Sequence, residues 1–159
     1  MSKTINVMLV DDHAVVRAGY NMLLKNMPEI VVVAEARNGE EAYQLYITHK
    51  PDVVVMDLSL PGIGGIEAIK RICSRDNKAT ILVFSMHEEV IFVEQSLQAG
   101  ASGYITKSTD PQLLVEAIIR LSRGEKYIDA ELAQRLAYEK SRGKDSLLSE
   151  LSTREFEIF

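Results

Sequence analysis

The residues able to do chemistry sit at the ends of short apolar runs. Asp11 and Asp12 close the run Ile5 to Val10, Asp57 closes Val53 to Met56, Ser85 closes the run from Thr80, and Lys107 follows Gly103 to Thr106. In an open α/β sheet, ligands bind beyond the carboxyl ends of the strands, where the strand order reverses. Three carboxylates, a hydroxyl and an ammonium therefore converge on one edge from four segments. Carboxylates packed together repel, so a proton or a divalent cation is expected among them. Oxygen-only ligands point to Mg²⁺, which keeps waters and is held by one or two carboxylates plus phosphate oxygens. A carboxylate beside Mg²⁺ and Lys107 can attack phosphorus, because both cations neutralise charge on the transferring oxygens. Asp57 would then become an aspartyl phosphate.

The charge sum suggests a switch. Three carboxylates, Lys107 and Mg²⁺ add to zero, and an acyl phosphate of roughly −2 in place of one carboxylate leaves about −1. Ser85 and Lys107 are placed to supply donors to that new charge. Moving Ser85 inward would drag Ser85-Met86-His87 with it, and Tyr104 could rotate into the vacated space.

These residues need a scaffold, and the rest of the chain provides one. Ile5 to Val10, Ile30 to Ala36, Val53 to Asp57, Thr80 to Ser85 and Gly103 to Thr106 read as buried strands, too short and apolar for helices. Between them lie helical patterns. The first runs from His13 through Val15, Val16, Ala18, Gly19, Met22, Leu23 and Met27, with Asp12 as N-cap and Pro28 as stop. Met22 and Met27 read as core. Asn38 caps a second helix carrying Ala42, Leu45 and Tyr46, and Ile66, Ile69, Ile72 and Cys73 mark a third after the turn Pro61 to Gly65. A fourth spans Glu88 to Ala99, and Asp110-Pro111 opens a fifth that reaches Leu121. Strands alternating with helices through short loops predict a doubly wound parallel sheet with helices on both faces.

The expected domains are 1–123, then a linker over 124–150 with a helix at about 129–138, then 151–159. Composition excludes several classes. Residues 1–119 hold 10 basic and 15 acidic side chains and residues 120–159 hold eight of each, so neither part is a basic nucleic-acid surface. Cys73 alone cannot form an internal disulfide, there is no signal-peptide pattern, and no apolar run approaches a membrane span of roughly 18 residues. The expectation is a cytoplasmic protein without membrane contact. His13, His49 and His87 lack a zinc spacing, and Gly62-Ile63-Gly64-Gly65 is a turn rather than a nucleotide loop. His87, two residues beyond Ser85, is placed to tune hydrolysis of a phosphoryl group.

In this order on β-α units, Asp11-Asp12, Asp57, Ser85 and Lys107 resemble the receiver domain of bacterial two-component response regulators, over residues 5 to about 122. The resemblance implies a flavodoxin-like (βα)5 fold with strand order 2-1-3-4-5, followed here by a linker helix. It implies Asp57 as phosphoacceptor, Asp12 as a direct Mg²⁺ ligand, Asp11 as a ligand through water and Ser59 as a backbone-carbonyl ligand. It also implies Ser85 as switch hydroxyl, Lys107 as phosphate partner and Tyr104 as aromatic switch. Two positions depart from the pattern: Ser108 follows the lysine where many receivers have proline, and Met86 is bulkier than the usual small residue.

Leu151 to Phe159 resembles the opening of a LuxR-type helix-turn-helix domain, with Ser152 and Glu155 as a capping box and Phe156 and Phe159 starting an apolar face. This implies a NarL/FixJ-type regulator, cut at the domain junction. Gly124 to Ile128 together with Leu132-Ala133-Gln134 suggests the GacA/UvrY branch. The implied partners are a sensor histidine kinase, a second copy upon phosphorylation, and DNA only through a C-terminal domain missing here. The implied activity is self-phosphorylation and dephosphorylation, not turnover. The rival readings are a dimerisation module independent of phosphorylation and an aspartyl-nucleophile phosphatase, which wants an acid where Ser59 stands.

Overall fold

The computed structural model describes residues 4–108 and 110–142. The expected linker beyond residue 142 and the expected capping box at Ser152 and Glu155 lie outside the described residues. Five strands and helices alternate as β1 (Ile5–Val10), α1 (Ala14–Lys25), β2 (Ile30–Ala36), α2 (Gly39–His49), β3 (Val53–Met56), α3 (Gly64–Arg75), β4 (Ile81–Ser85), α4 (Val90–Ala99), β5 (Gly103–Thr106) and α5 (Gln112–Ser122). A short sixth strand, β6 (Tyr127–Ile128), follows, and then a helix, α6, over residues 130–142.

All strand pairings are parallel, and the order among the described residues is β2-β1-β3-β4-β5-β6. This is the expected 2-1-3-4-5 order with one strand added at the β5 edge. The chain leaves β1 in both directions, to β2 and to β3, so the switch point lies between the ends of β1 and β3.

The central strands are largely apolar, Asn6 of β1 apart, because both faces are covered. Successive side chains point to opposite faces, and the core divides accordingly. Met8, Val10, Val54, Met56, Ile81, Val83 and Tyr104 pack with α2, α3 and α4, whereas Val7, Leu9, Val53, Val55, Leu82, Phe84 and Ile105 pack with α5 and Leu24 of α1. The buried Leu132 and Leu136 put α6 on the α4 side.

Helix α1 differs from the sequence reading. Met22, expected in the core, is 72% exposed, and Val15 is 85% exposed. The inward stripe is Tyr20, Leu23, Leu24 and Met27, at i, i+3, i+4 and i+7. Residues two apart do not share a helix face, so burying Leu24 turns Met22 to solvent. Asp12 does not cap this helix: the N-cap is His13, and no side chain caps it. Asn38 caps α2 as expected, accepting the Glu41 N–H at 2.8 Å, whereas the N-cap of α5 is Pro111 rather than Asp110, whose carboxylate accepts the Gln112 N–H at 2.9 Å just ahead of the helix. Among the described residues no helix is long and apolar enough to cross a membrane.

Candidate functional site

Strand β3 carries four buried residues and delivers Asp57 directly into the crevice beside β1. The Asp57 N–H still bonds to Val10 O at 3.0 Å, so the residue stays tied to the sheet while its side chain leaves it. Its carboxylate is buried, with Oδ2 3.3 Å from Lys107 Nζ and Oδ1 accepting the Ser59 N–H at 3.2 Å. The backbone behind it leaves no room. A Cβ on Gly65 would lie 2.4 Å from Asp57 O and 2.6 Å from Leu58 Cα, so only glycine lets the start of α3 approach so closely.

Asp11 is also buried and makes the shorter ion pair, Oδ2 to Lys107 Nζ at 2.7 Å. Its Oδ1 accepts the His13 N–H at 2.9 Å. Burial alone would raise the Asp11 pKa, but Lys107 and the His13 N–H outweigh it and hold the carboxyl below its ordinary value. Burial likewise works against the Lys107 ammonium, yet Asp11 and Asp57 raise its pKa above the ordinary lysine value. Asp12 is more exposed and meets His13 Nδ1 at 3.0 Å.

One ammonium, paired with Asp11 and Asp57, is thus set against three clustered carboxylates counting Asp12, a formal local excess of about two negative charges. Ligand atoms of Asp11, Asp12, His13 and Asp57 all lie within 4.8 Å of one another. A hard, mostly oxygen donor set with that excess fits a divalent cation of the Mg²⁺ class.

The second half of the edge is neutral. Ser85 is fully buried, and its Oγ accepts the His87 N–H at 3.2 Å. Tyr104 is also fully buried and donates its hydroxyl to His87 O at 2.7 Å. Burial pushes the Tyr104 phenol up to about 12. The His87 ring stacks on Phe92 with centroids 4.2 Å apart and meets Ser59 Oγ at 3.0 Å. Lys107 joins this half through its backbone, donating N–H to Ser85 O at 2.8 Å, and among the described residues no peptide bond is cis.

The structure therefore brings Asp11, Asp57 and Lys107 into direct contact and places Asp12 beside them through His13. Ser59 touches both halves. The side chains of Ser85 and Tyr104 bond the backbone of the same residue, His87, rather than the Asp57 carboxylate or the Lys107 ammonium. Sequence reasoning missed two contributors. His13 holds both Asp11 and Asp12, and the Arg17 guanidinium donates to Asp11 O while its Nε bonds Glu35 at 3.2 Å. Their only signal was proximity: Arg17 stands one helical turn beyond His13, and its N–H bonds His13 O.

Known proteins agree with this geometry. The response regulator receiver domain family matches residues 7–119. The response regulator UvrY of Escherichia coli K12 is 40% identical over 156 residues, covering 97% of this chain and 72% of the relative. The response regulator GacA of Pseudomonas aeruginosa is 38% identical over 156 residues, covering 97% and 73%. A crystal structure of a LuxR-family two-component response regulator from Aurantimonas superposes with a TM-score of 0.84 at 48% identity, covering 87% of this chain and 99% of that one. The acidic cluster at the β1/β3 switch point matches the phosphorylation and metal-binding site of such regulators, and this chain belongs to the response regulator receiver family, as a NarL/FixJ-type receiver related to UvrY and GacA.

Proposed function

We propose that Asp57 is the phosphoacceptor of this receiver and that its phosphorylation, drawing on a sensor histidine kinase, is the signal the domain carries. The observation that bears most weight is the setting of the Asp57 carboxylate, buried at the switch point with one oxygen on Lys107 and the other on the Ser59 N–H. An Asp57 oxygen attacks phosphorus as the phosphorus–nitrogen bond of the donor phosphohistidine breaks, and the electron pair leaves with the imidazole nitrogen. Lys107 follows the charge from the carboxylate to the phosphoryl oxygens. Asp11, Asp12, Asp57 and the Ser59 carbonyl are the groups that would hold Mg²⁺. When bound, that ion supplies neutralisation of the transferring oxygens.

The acyl phosphate brings more negative charge than the carboxylate it replaces, so it recruits donors. Ser85 Oγ is the hydroxyl placed to turn toward it, giving up the His87 N–H, and Tyr104 is the buried ring whose position follows that loop. Val15 of α1 and Met86 of the β4–α4 loop are exposed and offer apolar surface to a kinase partner. In a longer polypeptide the output is transcription control through a LuxR-type DNA-binding domain, a reading supported by the resemblance of residues 151–159 and by the named relatives.

Incubation with a small phosphodonor and Mg²⁺, followed by intact mass, tests the assignment. The chain should gain one phosphoryl group, gain none when Mg²⁺ is chelated before mixing, and gain none as Asp57→Asn. Equal uptake by Asp57→Asn would overturn it, and rapid multiple turnover on phosphate monoesters would favour the phosphatase reading instead.

A further inference from the structure

Residues 85–88 are held from two sides. On the site side, Ser85 Oγ takes the His87 N–H, His87 O takes the Tyr104 hydroxyl, and the His87 ring meets Ser59. On the other side, Arg135 of α6 donates to Glu88 O at 3.3 Å, and the Glu88 carboxylate accepts the Ser108 hydroxyl at 2.8 Å. The carbonyls of two successive residues, His87 and Glu88, thus carry the switch tyrosine and the C-terminal helix.

Helix α6 is tied to the same strand as Tyr104. Its entry, β6, pairs Ile128 with Tyr104, and the Asp129 N–H bonds Tyr104 O at 3.0 Å. Asp129 then caps the helix by accepting the Glu131 N–H at 3.0 Å. Beyond that cap the attachment is slender. Leu132 and Leu136, one turn apart, are the buried side chains of α6 among the described residues, and they lie in the apolar cluster that contains Tyr104 and Val93. The remaining described residues of the helix are exposed or half-exposed, Tyr138 at 64%. A polar cavity of about 150 Å³ lies between the helix and the loops, lined by Glu88, Thr106, Ser108, Asp129, Leu132 and Arg135 among others.

We propose that α6 is a conformational latch, docked in the state seen here and released when the segment 85–88 remakes its bonds toward a phosphoryl group on Asp57. The inference rests on the phosphoacceptor reading above. Drawing Ser85 Oγ away from the His87 N–H shifts the two carbonyls that follow, and both the Tyr104 and Arg135 bonds point at them. Any movement of the Tyr104 ring also reshapes the apolar floor beneath Leu132 and Leu136. Loss of a few weak contacts is enough to free a helix held by two leucines and one arginine. Because the coupling is between two equilibria, it runs both ways: loosening α6 must favour the phosphorylated conformation.

The test is amide hydrogen exchange on the full chain with and without beryllofluoride and Mg²⁺, with fluorine NMR reporting whether beryllofluoride binds. Binding should speed exchange of the amides in 130–142 at least tenfold while those of β1 and β3 stay protected. Leu136→Ala should show fast exchange in 130–142 without ligand and bind beryllofluoride severalfold tighter. Arg135→Ala, at an exposed position that leaves the core intact, should show the same two changes to a smaller degree. Bound beryllofluoride with unchanged exchange in 130–142, or looser α6 variants with unchanged affinity, would overturn the latch alone. Failure of beryllofluoride to bind at all would overturn the phosphoacceptor reading and the latch with it.

Discussion

The two halves of the carboxyl edge are built from different interactions. On the β1/β3 side, the nearly buried carboxylates of Asp11 and Asp57 lie 2.7 and 3.3 Å from the Lys107 ammonium. On the β4/β5 side, Ser85, Tyr104 and His87 are joined by neutral hydrogen bonds over an apolar floor. Buried charges are costly to separate, whereas neutral bonds exchange partners at small net cost. The charged half is therefore suited to fixed chemistry and the neutral half to movement. Ser59 and His87 join them, at 3.0 Å.

The contrast predicts unequal losses. Lys107→Ala leaves two buried carboxylates without their cation and should cost about 3 kcal/mol of stability, read by urea unfolding, with part of it restored by Mg²⁺. The pH profile should change as well. Asp11's folded pKa lies below its ordinary value, so its contribution is present above the ordinary carboxylate range and is lost as pH falls through the folded value. Lys107→Ala should blunt that acid-side loss; an unchanged midpoint and profile would show that the charged half is not held by this pair.

Gly65→Ala should cost about 2 kcal/mol by thermal unfolding, because the new methyl collides with the Asp57 backbone rather than with a flexible side chain. A neutral outcome would mean that the wall behind Asp57 yields. The smallest effect belongs to the neutral half. Tyr104→Phe removes one hydrogen bond and should cost about 1 kcal/mol near neutrality. Its phenol is raised from 10.0 to about 12, so the stability tied to the neutral form is complete below pH 10 and lost as pH rises through about 12. Urea midpoints across that window should fall less steeply for Tyr104→Phe than for the parent chain.

Much of the fold was legible because β1, β3 and β4 are largely apolar runs that stop at Asp11, Asp57 and Ser85. Strand β6 was not legible, since Tyr127 and Ile128 are too few to show a period and pair only because β5 offers an open edge. Helix α1 misled because it carries apolar residues on both sides, Val15 and Met22 outward and Tyr20, Leu23 and Leu24 inward. For the site, the convergence of Asp11, Asp57 and Lys107 followed from strand ends alone. The parts played by His13 and Arg17 depend on the turn between β1 and α1, which brings their side chains back onto Asp11, and no spacing in the sequence encodes that turn. The links from His87 to Ser59, Ser85 and Tyr104 join two loops to strands β4 and β5 and show only in the folded structure.

The central claim is that Asp57, and not Asp11 or Asp12 beside it, forms the acyl phosphate. Borohydride reduces an aspartyl phosphate to homoserine, so reduction after treatment with a small phosphodonor and Mg²⁺, followed by peptide sequencing, reads the position directly. The account predicts conversion at Asp57 alone; conversion at Asp11 or Asp12 with Asp57 unchanged would contradict it.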